Sequence, residues 1–347
     1  LTGGAGGNGA DGITGTTGGA GGAGGTVAYT LVGDVAGTIA LDEGAAGSAG
    51  GGAGEAGAAG AAGTVLMTLT GTVTGDVTAA SDDEGAITVA GTSVFSGNVG
   101  TATNQIRLLT GSASTTITKN LYADTMTFGS QALVLNGTTA QIVGGALAGD
   151  ADVTVNNGAT GTFLEAAVID TLTIAGTGNV TFENTLTADT ITMAATGGNL
   201  TLENTVTSGA TALTAKGTLT IGNSFEAGDT VFVCGAGCNM DNGFTINVPE
   251  TFNTGVITLL DAGGGAGTVA NAVAAMTLNG NVLATYAASV DNTNDILITA
   301  TKKSSSTIAT ALGVSAEAAS ALDSAATVLN TATSVQDLAT QLALNTV

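Results

Sequence analysis

The repeat that decides the fold is DTLTIAGTGNVTFENTL at residues 170–186, which returns as DTITMAATGGNLTLENTV at residues 189–206. A looser copy covers residues 212–225, and an earlier echo covers residues 124–136. The copies are spaced about 19 to 20 residues apart, and a repeat that short cannot bury an apolar face alone. The copies must therefore stack on one another.

Apolar and polar residues alternate within each copy, which indicates strands and not helices. Leu172 and Ile174 are expected to point inward, with Ile191 and Met193 directly above them one turn later. The pattern predicts an all-β fold: a right-handed parallel β-solenoid with aliphatic columns inside, threonine columns outside, and Asn and Gly at the corners. Corner Asn side chains are expected to hydrogen-bond from turn to turn, and the repeated Glu-Asn pairs fall at such corners.

Glycine recurs at every third position in two runs near the N-terminus, and three residues per turn is the repeat of polyproline II. The residues predicted to form these arms are Gly3, Gly6, Gly9, Gly12, Gly15, Gly18, Gly21, Gly24, Gly54, Gly57, Gly60 and Gly63. Neither run contains proline, which argues against collagen. We predict polyproline-II-like arms whose backbones bond to neighbours in the same or another chain; the alternative is a flexible glycine-rich linker.

Changes in amino-acid composition and pattern along the chain predict three segments: glycine arms at 1–63, the solenoid at 64–303 and a helical cap at 304–347. Residues 26–41, between the glycine runs, alternate around Gly33-Asp34 and predict a strand pair. Apolar spacing near the C-terminus predicts two short helices that cap the solenoid or dock on a neighbour. The residues predicted for that docking are Leu322, Val328, Leu329, Val335, Leu338 and Leu342.

Charge and composition exclude several functions. With 27 acidic and five basic residues the net charge is −22, and five scattered bases cannot neutralise nucleic-acid phosphates. No apolar window is long enough for a transmembrane helix. The chain has no histidine and no tryptophan, which argues against histidine-based catalysis and against a carbohydrate cleft. We therefore predict that the protein is not an enzyme and needs no cofactor, and we interpret residues 82–84 as a solvated acidic turn.

Three smaller motifs leave alternatives open. Cys234 and Cys238 are separated by Gly-Ala-Gly, so a local disulfide is expected in an oxidising compartment, with packed thiols as the alternative.

GGNGADGIT at residues 6–14 matches one calcium-binding nonapeptide and makes Asp11 a calcium candidate, although that chemistry needs tandem copies. Thr-x-Thr pairs at 125/127, 171/173 and 190/192 are compatible with an ice-binding function. The simpler interpretation is that threonine suits the exposed face of strands.

From about residue 64 the chain resembles the passenger domains of bacterial autotransporters (type V secretion). The resemblance is carried by the solenoid copies, GVITLLDAG at 255–263, NTNDILITAT at 292–301 and the alanine-rich segment 316–329. It implies export across an outer membrane and display at the bacterial surface, with a role in adhesion or surface coating. No membrane barrel follows, and glycine arms are not usual in the family. We expect an exported chain whose leader has been removed.

These observations predict an extracellular structural subunit that assembles with itself into a filament or surface layer through its arms and strand edges. One alternative is a monomeric surface adhesin that binds ligands on host or neighbouring cells. Another is an ice-binding solenoid.

Overall fold

The computed structural model describes residues 5, 7–10, 17–51, 64–193, 197–208, 212–214, 217–234, 239–240, 243–263, 273–315, 317–318, 320–321 and 324. The chain divides into two compact units, residues 1–200 and 201–347. The fold is a mostly-β parallel solenoid, as the sequence predicts.

The strands of the first unit follow one another turn by turn. They are β1 (Thr26–Val32), β2 (Ile39–Ala40), β3 (Thr64–Val73), β4 (Val77–Thr78), β5 (Glu84–Phe95), β6 (Ile106–Gly111), β7 (Thr115–Ile117), β8 (Leu121–Thr127), β9 (Ala132–Leu135), β10 (Gln141–Val155), β11 (Thr160–Phe163), β12 (Ala167–Ile174), β13 (Asn179–Phe182) and β14 (Leu186–Met193). All their pairings are parallel.

The register predicted from the repeat is confirmed. Leu172 pairs with Ile191 and Ile174 with Met193, and all four side chains are buried. The threonines between them face outward and are half-buried. Corner asparagines also bond from turn to turn: the Asn156 Nδ2 donates to the Asn136 Oδ1 at 2.9 Å.

One inward column shows how the core of the first unit is built. It is a series of stacked residues from six turns: Val77, Val99, Leu121, Val143, Phe163 and Phe182. All are at most 1% exposed, and the rings of Phe163 and Phe182 stack with centroids 4.7 Å apart. The first four are 22 residues apart, so the early turns are longer than the predicted 19 to 20 residues.

The segment between the glycine runs does not form a self-contained strand pair. β1 pairs in parallel with β3, and β2 pairs in parallel with β4. Each strand therefore stacks on the following turn: Ile39 and Leu41 are buried there, and the alternate residues Val27, Tyr29 and Leu31 of β1 are half-buried. The parallel stack thus begins before residue 64.

The second unit continues with strands of the same kind and ends differently. Its elements, with β15 spanning the boundary, are β15 (Asn199–Leu202), β16 (Val206–Ser208), β17 (Ala212–Thr214), β18 (Thr218–Ile221), β19 (Thr230–Cys234), β20 (Asn239–Met240), β21 (Thr245–Asn247), β22 (Gly255–Asp261), β23 (Thr277–Asn279), β24 (Ala284–Val290), β25 (Ile296–Lys302) and helix α1 (Ser305–Leu312). β25 runs antiparallel to both β22 and β24. The parallel order predicted to residue 303 therefore gives way to an antiparallel end.

Helix α1 begins where the sequence predicts a change from strand to helix. The Ser304 hydroxyl accepts a hydrogen bond from the Thr307 N–H, which caps the N-terminus, and Gly313 ends the helix in the left-handed region. Ile308 and Ala309 are its buried residues, and they pack against Leu283. The helix therefore covers apolar surface beside the antiparallel end.

Candidate functional site

Three glycine segments of the first unit, at residues 7–10, 17–25 and 44–51, bond to one another. Gly19 and Gly22 donate N–H bonds to the carbonyls of Ala10 and Gly7, at 2.6 and 2.5 Å. Gly47 and Gly50 donate in turn to Gly22 and Gly19, and Gly9 donates to Ser48. Donors recur every three residues, so the triplet period sets the bonding pattern. We call these segments the glycine bundle.

The bundle is tight enough to require glycine at its contacts. A Cβ on Gly47 would lie 2.0 Å from the Gly7 carbonyl oxygen, and one on Gly50 would lie 1.8 Å from that of Ala10. Gly9 and Gly19 show the same close approach to backbone atoms. All these contacts lie within one chain.

The structure places only part of the predicted arm set. Gly9 makes a bundle contact, and Gly18, Gly21 and Gly24 lie in the middle segment. The other predicted arm glycines, Gly3, Gly6, Gly12, Gly15, Gly54, Gly57, Gly60 and Gly63, lie outside the described residues. The adjacent glycines Gly19 and Gly22, which the prediction passed over, carry bonds because each triplet there holds two glycines.

Two outward columns of residues stack in register on one surface of the first unit. Thr30, Thr68, Thr88, Thr110 and Thr127 stack in register over five turns. A parallel column runs beside them, made of Ala28, Leu66, Ala86, Leu108 and Thr125. We call these ten positions the threonine face.

None of these ten positions carries a charged side chain, and the exposed Asp124 lies at the margin, where its carboxylate accepts from the Thr125 hydroxyl at 3.3 Å. Leu66 is 40% exposed, and Thr30, Ala28 and Thr127 are exposed as well. Of the predicted Thr-x-Thr pairs, 125/127 lies on this face. The other two pairs lie on another surface, where Asp152 takes the place of threonine one turn earlier.

The remaining predicted sites divide between described and undescribed residues. Cys234 ends β19, is buried and is disulfide-bonded, whereas Cys238 lies outside the described residues. The calcium candidate Asp11 lies outside them too, as do the docking residues Leu322, Val328, Leu329, Val335, Leu338 and Leu342.

The acidic run at residues 82–84 forms a polar turn, as predicted. Asp83 has a φ of 60°, and the Asp82 carboxylate accepts from the Gln105 N–H at 2.9 Å. The Glu84 carboxylate accepts from the Ser81 N–H at 3.1 Å. The Glu84 carboxylate thus stabilises the turn itself, and the Asp82 carboxylate ties it to the next turn of the solenoid.

An ion pair with a buried carboxylate lies beside the glycine segment at residues 44–51, and no pattern in the sequence predicts it. The Glu43 Oε1 accepts from the Arg107 guanidinium at 2.6 Å and from the Gly85 N–H at 3.1 Å. The Glu43 side chain is 6% exposed. Glu43 bonds to residues that lie 42 and 64 positions away from it in the chain. Local sequence patterns cannot reveal such contacts.

The described residues also lack two kinds of feature. In that part of the chain, no cluster of three Asp, Glu or Cys side chains is arranged to hold a metal ion. None of its helices has the length and apolar character needed to cross a membrane.

Comparisons with protein families, with curated proteins and with solved structures find no match for this chain.

Proposed function

We propose that the protein is an extracellular structural subunit that packs side by side with copies of itself in a filament or surface layer. The observation that carries this proposal is the uncharged threonine face. A surface with 22 excess negative charges repels its own copies. The ten positions of the threonine face bring no carboxylates of their own into contact when two copies meet, and Asp124 lies at the margin.

The proposal does not depend on exchange of glycine arms between chains. The described bonds of the glycine bundle are intramolecular, so the bundle acts as part of the subunit. The disulfide-bonded state of Cys234 supports an oxidising, extracellular compartment.

The size of the threonine face sets the strength expected of the contact. Five turns span about 20 Å at a spacing of about 4.8 Å, and the two columns with their margins are about 13 Å wide. Roughly 300 Å² per partner is well below the roughly 800 Å² per partner of a stable interface. Pairs should therefore be weak, and assembly should need a high local concentration.

The experiment compares Thr88→Lys, at the centre of the face, with Thr173→Lys on another outward threonine column. Both changes add one positive charge at a half-buried strand position. Sedimentation velocity from about 10 μM to about 1 mM should show reversible self-association in the native protein, because weak contacts fall in this range. We expect Thr88→Lys to abolish it and Thr173→Lys to leave it unchanged.

Electron microscopy at the highest concentration supplies the second readout. Filaments or sheets should form from the native protein and from Thr173→Lys, and Thr88→Lys should remain as single particles. A native protein that stays monomeric throughout, or equal behaviour of the two variants, would overturn the proposal.

Ice binding is a second candidate, favoured by the in-register column of five threonines. A regular array of hydroxyl and methyl groups offers both hydrogen bonding and apolar contact to an ordered water lattice. The same pair of variants tests it: thermal hysteresis should be present in the native protein and in Thr173→Lys and lost in Thr88→Lys. An absence of thermal hysteresis in the native protein would rule it out.

A further inference from the structure

A small groove opens at one corner of the first unit, beside the inward column that begins at Val77. Its volume is about 310 Å³. The side chains that line it come from three successive turns: Asp76, Thr78, Asn98, Thr101, Asn120 and Tyr122. We call it the corner groove.

One wall is a ladder of polar side chains bonded from turn to turn. The Asp76 Oδ1 accepts from the Asn98 N–H at 2.7 Å, and the Asn98 Oδ1 accepts from the Asn120 N–H at 3.3 Å. The Asn120 Oδ1 accepts from the Ile142 N–H at 2.9 Å. These bonds fix the side chains in place before any ligand arrives, which lowers the entropy lost on binding.

The groove contains three unused hydrogen-bonding groups, which differ in whether they donate or accept. Among the described residues, the Asp76 Oδ2 and the Asn120 Nδ2 have no hydrogen-bond partner, nor does the Tyr122 hydroxyl. The first is an acceptor, the second a donor and the third either. Asn120 and Tyr122 lie on one turn and Asp76 lies two turns earlier, so the acceptor is roughly 10 Å along the groove from the other two groups at about 4.8 Å per turn.

Glycine at position 100 lets two turns of the groove approach closely. It lies between Thr78 and Tyr122 with a φ of 66°, and a Cβ there would lie 2.3 Å from the Tyr122 carbonyl oxygen. The Tyr122 ring rests over Gly144, where a Cβ would lie 2.5 Å from its Cδ1. The ring is thereby supported from below and half-buried.

The opposite wall is also held firmly. Asn104 donates its side-chain N–H groups to the carbonyls of Ala79 and Ala80, at 3.3 and 2.8 Å, and its backbone N–H to the Thr101 hydroxyl at 3.0 Å. The loop at residues 101–104 is therefore anchored to the preceding turn, and the groove is preformed.

The chemistry of the lining selects among ligand classes. The Asp76 carboxylate and the net charge of −22 disfavour anions. A single carboxylate falls short of the six to eight oxygens that calcium takes. An apolar ligand would leave the donors and acceptors unpaired. A hydroxyl-rich neutral ligand satisfies all of them and can rest its C–H groups on the ring of Tyr122.

We propose that the corner groove binds a neutral saccharide of one or two units. The ladder side chains hydrogen-bond to its hydroxyl groups, and the ring of Tyr122 packs against one face of a sugar ring. The volume lies at the lower end of the roughly 300–1,000 Å³ of ligand sites, which sets this small size. The low aromatic content argued against a carbohydrate cleft in general, but a groove of this size needs one aromatic ring. Such a ligand is also what the adhesin alternative would require on a cell surface.

The experiment presents glucose, galactose, mannose, N-acetylglucosamine, maltose, lactose and cellobiose, each at about 10 mM, to the full chain. Saturation-transfer NMR should detect at least one binder with a Kd near the millimolar range, as expected for one shallow groove. Because the chain has no tryptophan and three tyrosines, the intrinsic tyrosine fluorescence should change over the same titration.

Two variants locate the binding. Asp76→Asn keeps the oxygen that serves the ladder but replaces the free acceptor with a donor, and Tyr122→Ala removes the ring. Each should weaken binding at least tenfold, whereas Asp170→Asn, an exposed acid elsewhere in the unit, should have no effect. Circular dichroism melting confirms that each variant is folded, and Asp76→Asn decides the matter if Tyr122→Ala unfolds.

Two results would overturn the proposal. One is that no saccharide of the panel transfers saturation or changes the fluorescence; the other is binding that Asp76→Asn leaves intact. Thr88→Lys should bind saccharide like the native protein, so the corner groove and the threonine face succeed or fail separately.

Discussion

Tyr29 on β1 carries a buried hydroxyl that has no hydrogen-bond partner among the described residues. Burial raises the pKa of Tyr29 to about 12. An unfolded chain loses a tyrosine proton near pH 10, so between about pH 10 and 12 the folded state holds the proton more tightly. The free energy of unfolding should therefore fall as the pH rises through this window.

Tyr29→Phe tests this reading. The variant should be more stable at neutral pH by about 1 kcal/mol, because it removes a buried polar group that has no partner. It should also lose the highest tyrosinate step in an absorbance titration. Tyr286→Phe is the matched control: the Tyr286 hydroxyl donates to the Phe252 carbonyl at 2.8 Å, so its loss should destabilise the protein. Equal signs for the two variants would contradict the assignment.

Single residues were the hardest features to predict from the sequence. Inward and outward positions such as Leu172 and Thr171 followed directly from alternation, since period two fixes the face of each strand residue. Gln141 broke that rule: it is fully buried and bonds to the carbonyls of Ile117 and Lys119 and the N–H of Gly137. Its partners lie on a neighbouring turn or at a corner, where sequence pattern carries no signal.

At the scale of elements, the glycine bundle makes the sharpest prediction. Gly47→Ala places a Cβ 2.0 Å from the Gly7 carbonyl oxygen, whereas Gly51→Ala, in the same segment, meets nothing within 4 Å. Gly47→Ala should speed proteolysis and hydrogen exchange of residues 7–51, with a cost of about 1–3 kcal/mol or more for overpacking. Gly51→Ala should match the native protein.

Comparable protection in the two glycine variants would show that close backbone packing does not hold the bundle together. Complete unfolding of the solenoid by Gly47→Ala would show instead that bundle and solenoid form one cooperative unit.

The repeat predicted the strands of β12 and β14 well, and it failed at the ends of the chain. Residues 26–41 looked like a pair because alternation does not say which strand is the partner. The antiparallel arrangement of β22 and β25 was equally hidden, since parallel and antiparallel neighbours have similar apolar patterns. The glycine period predicted close backbone contact, but the choice between intramolecular and intermolecular contact depends on three-dimensional geometry.

At the scale of the whole molecule, net charge controls the proposed assembly. Raising the salt from about 10 mM to about 1 M shortens the screening length from about 30 Å to about 3 Å. The repulsion between copies should fall, so native self-association should appear at lower protein concentration in sedimentation experiments. Association that weakens with salt would mean that ion pairs, and not the uncharged threonine face, join the copies.

Sites that repeat with the strands could be predicted from the sequence, whereas sites that depend on the length of a turn could not. Threonine columns could be predicted because they repeat with the strands, and the 125/127 pair already indicated one. The corner groove could not, because Asp76, Asn98 and Asn120 form a ladder only once the turn length is known. The sequence repeat near residue 170 suggested 19 to 20 residues, and that period does not align residues spaced by 22.

The uniform spacing of Val77, Val99, Leu121 and Val143 has a consequence for how such a chain changes by recombination. Removing or duplicating one whole turn that is cut at this column, residues 77–98, 99–120 or 121–142, rejoins equivalent points of the coil, and every column stays continuous. A deletion of 21 residues would turn each following side chain to the opposite side within its strand. Whole turns are therefore the increments by which this part of the chain can lengthen or shorten between generations.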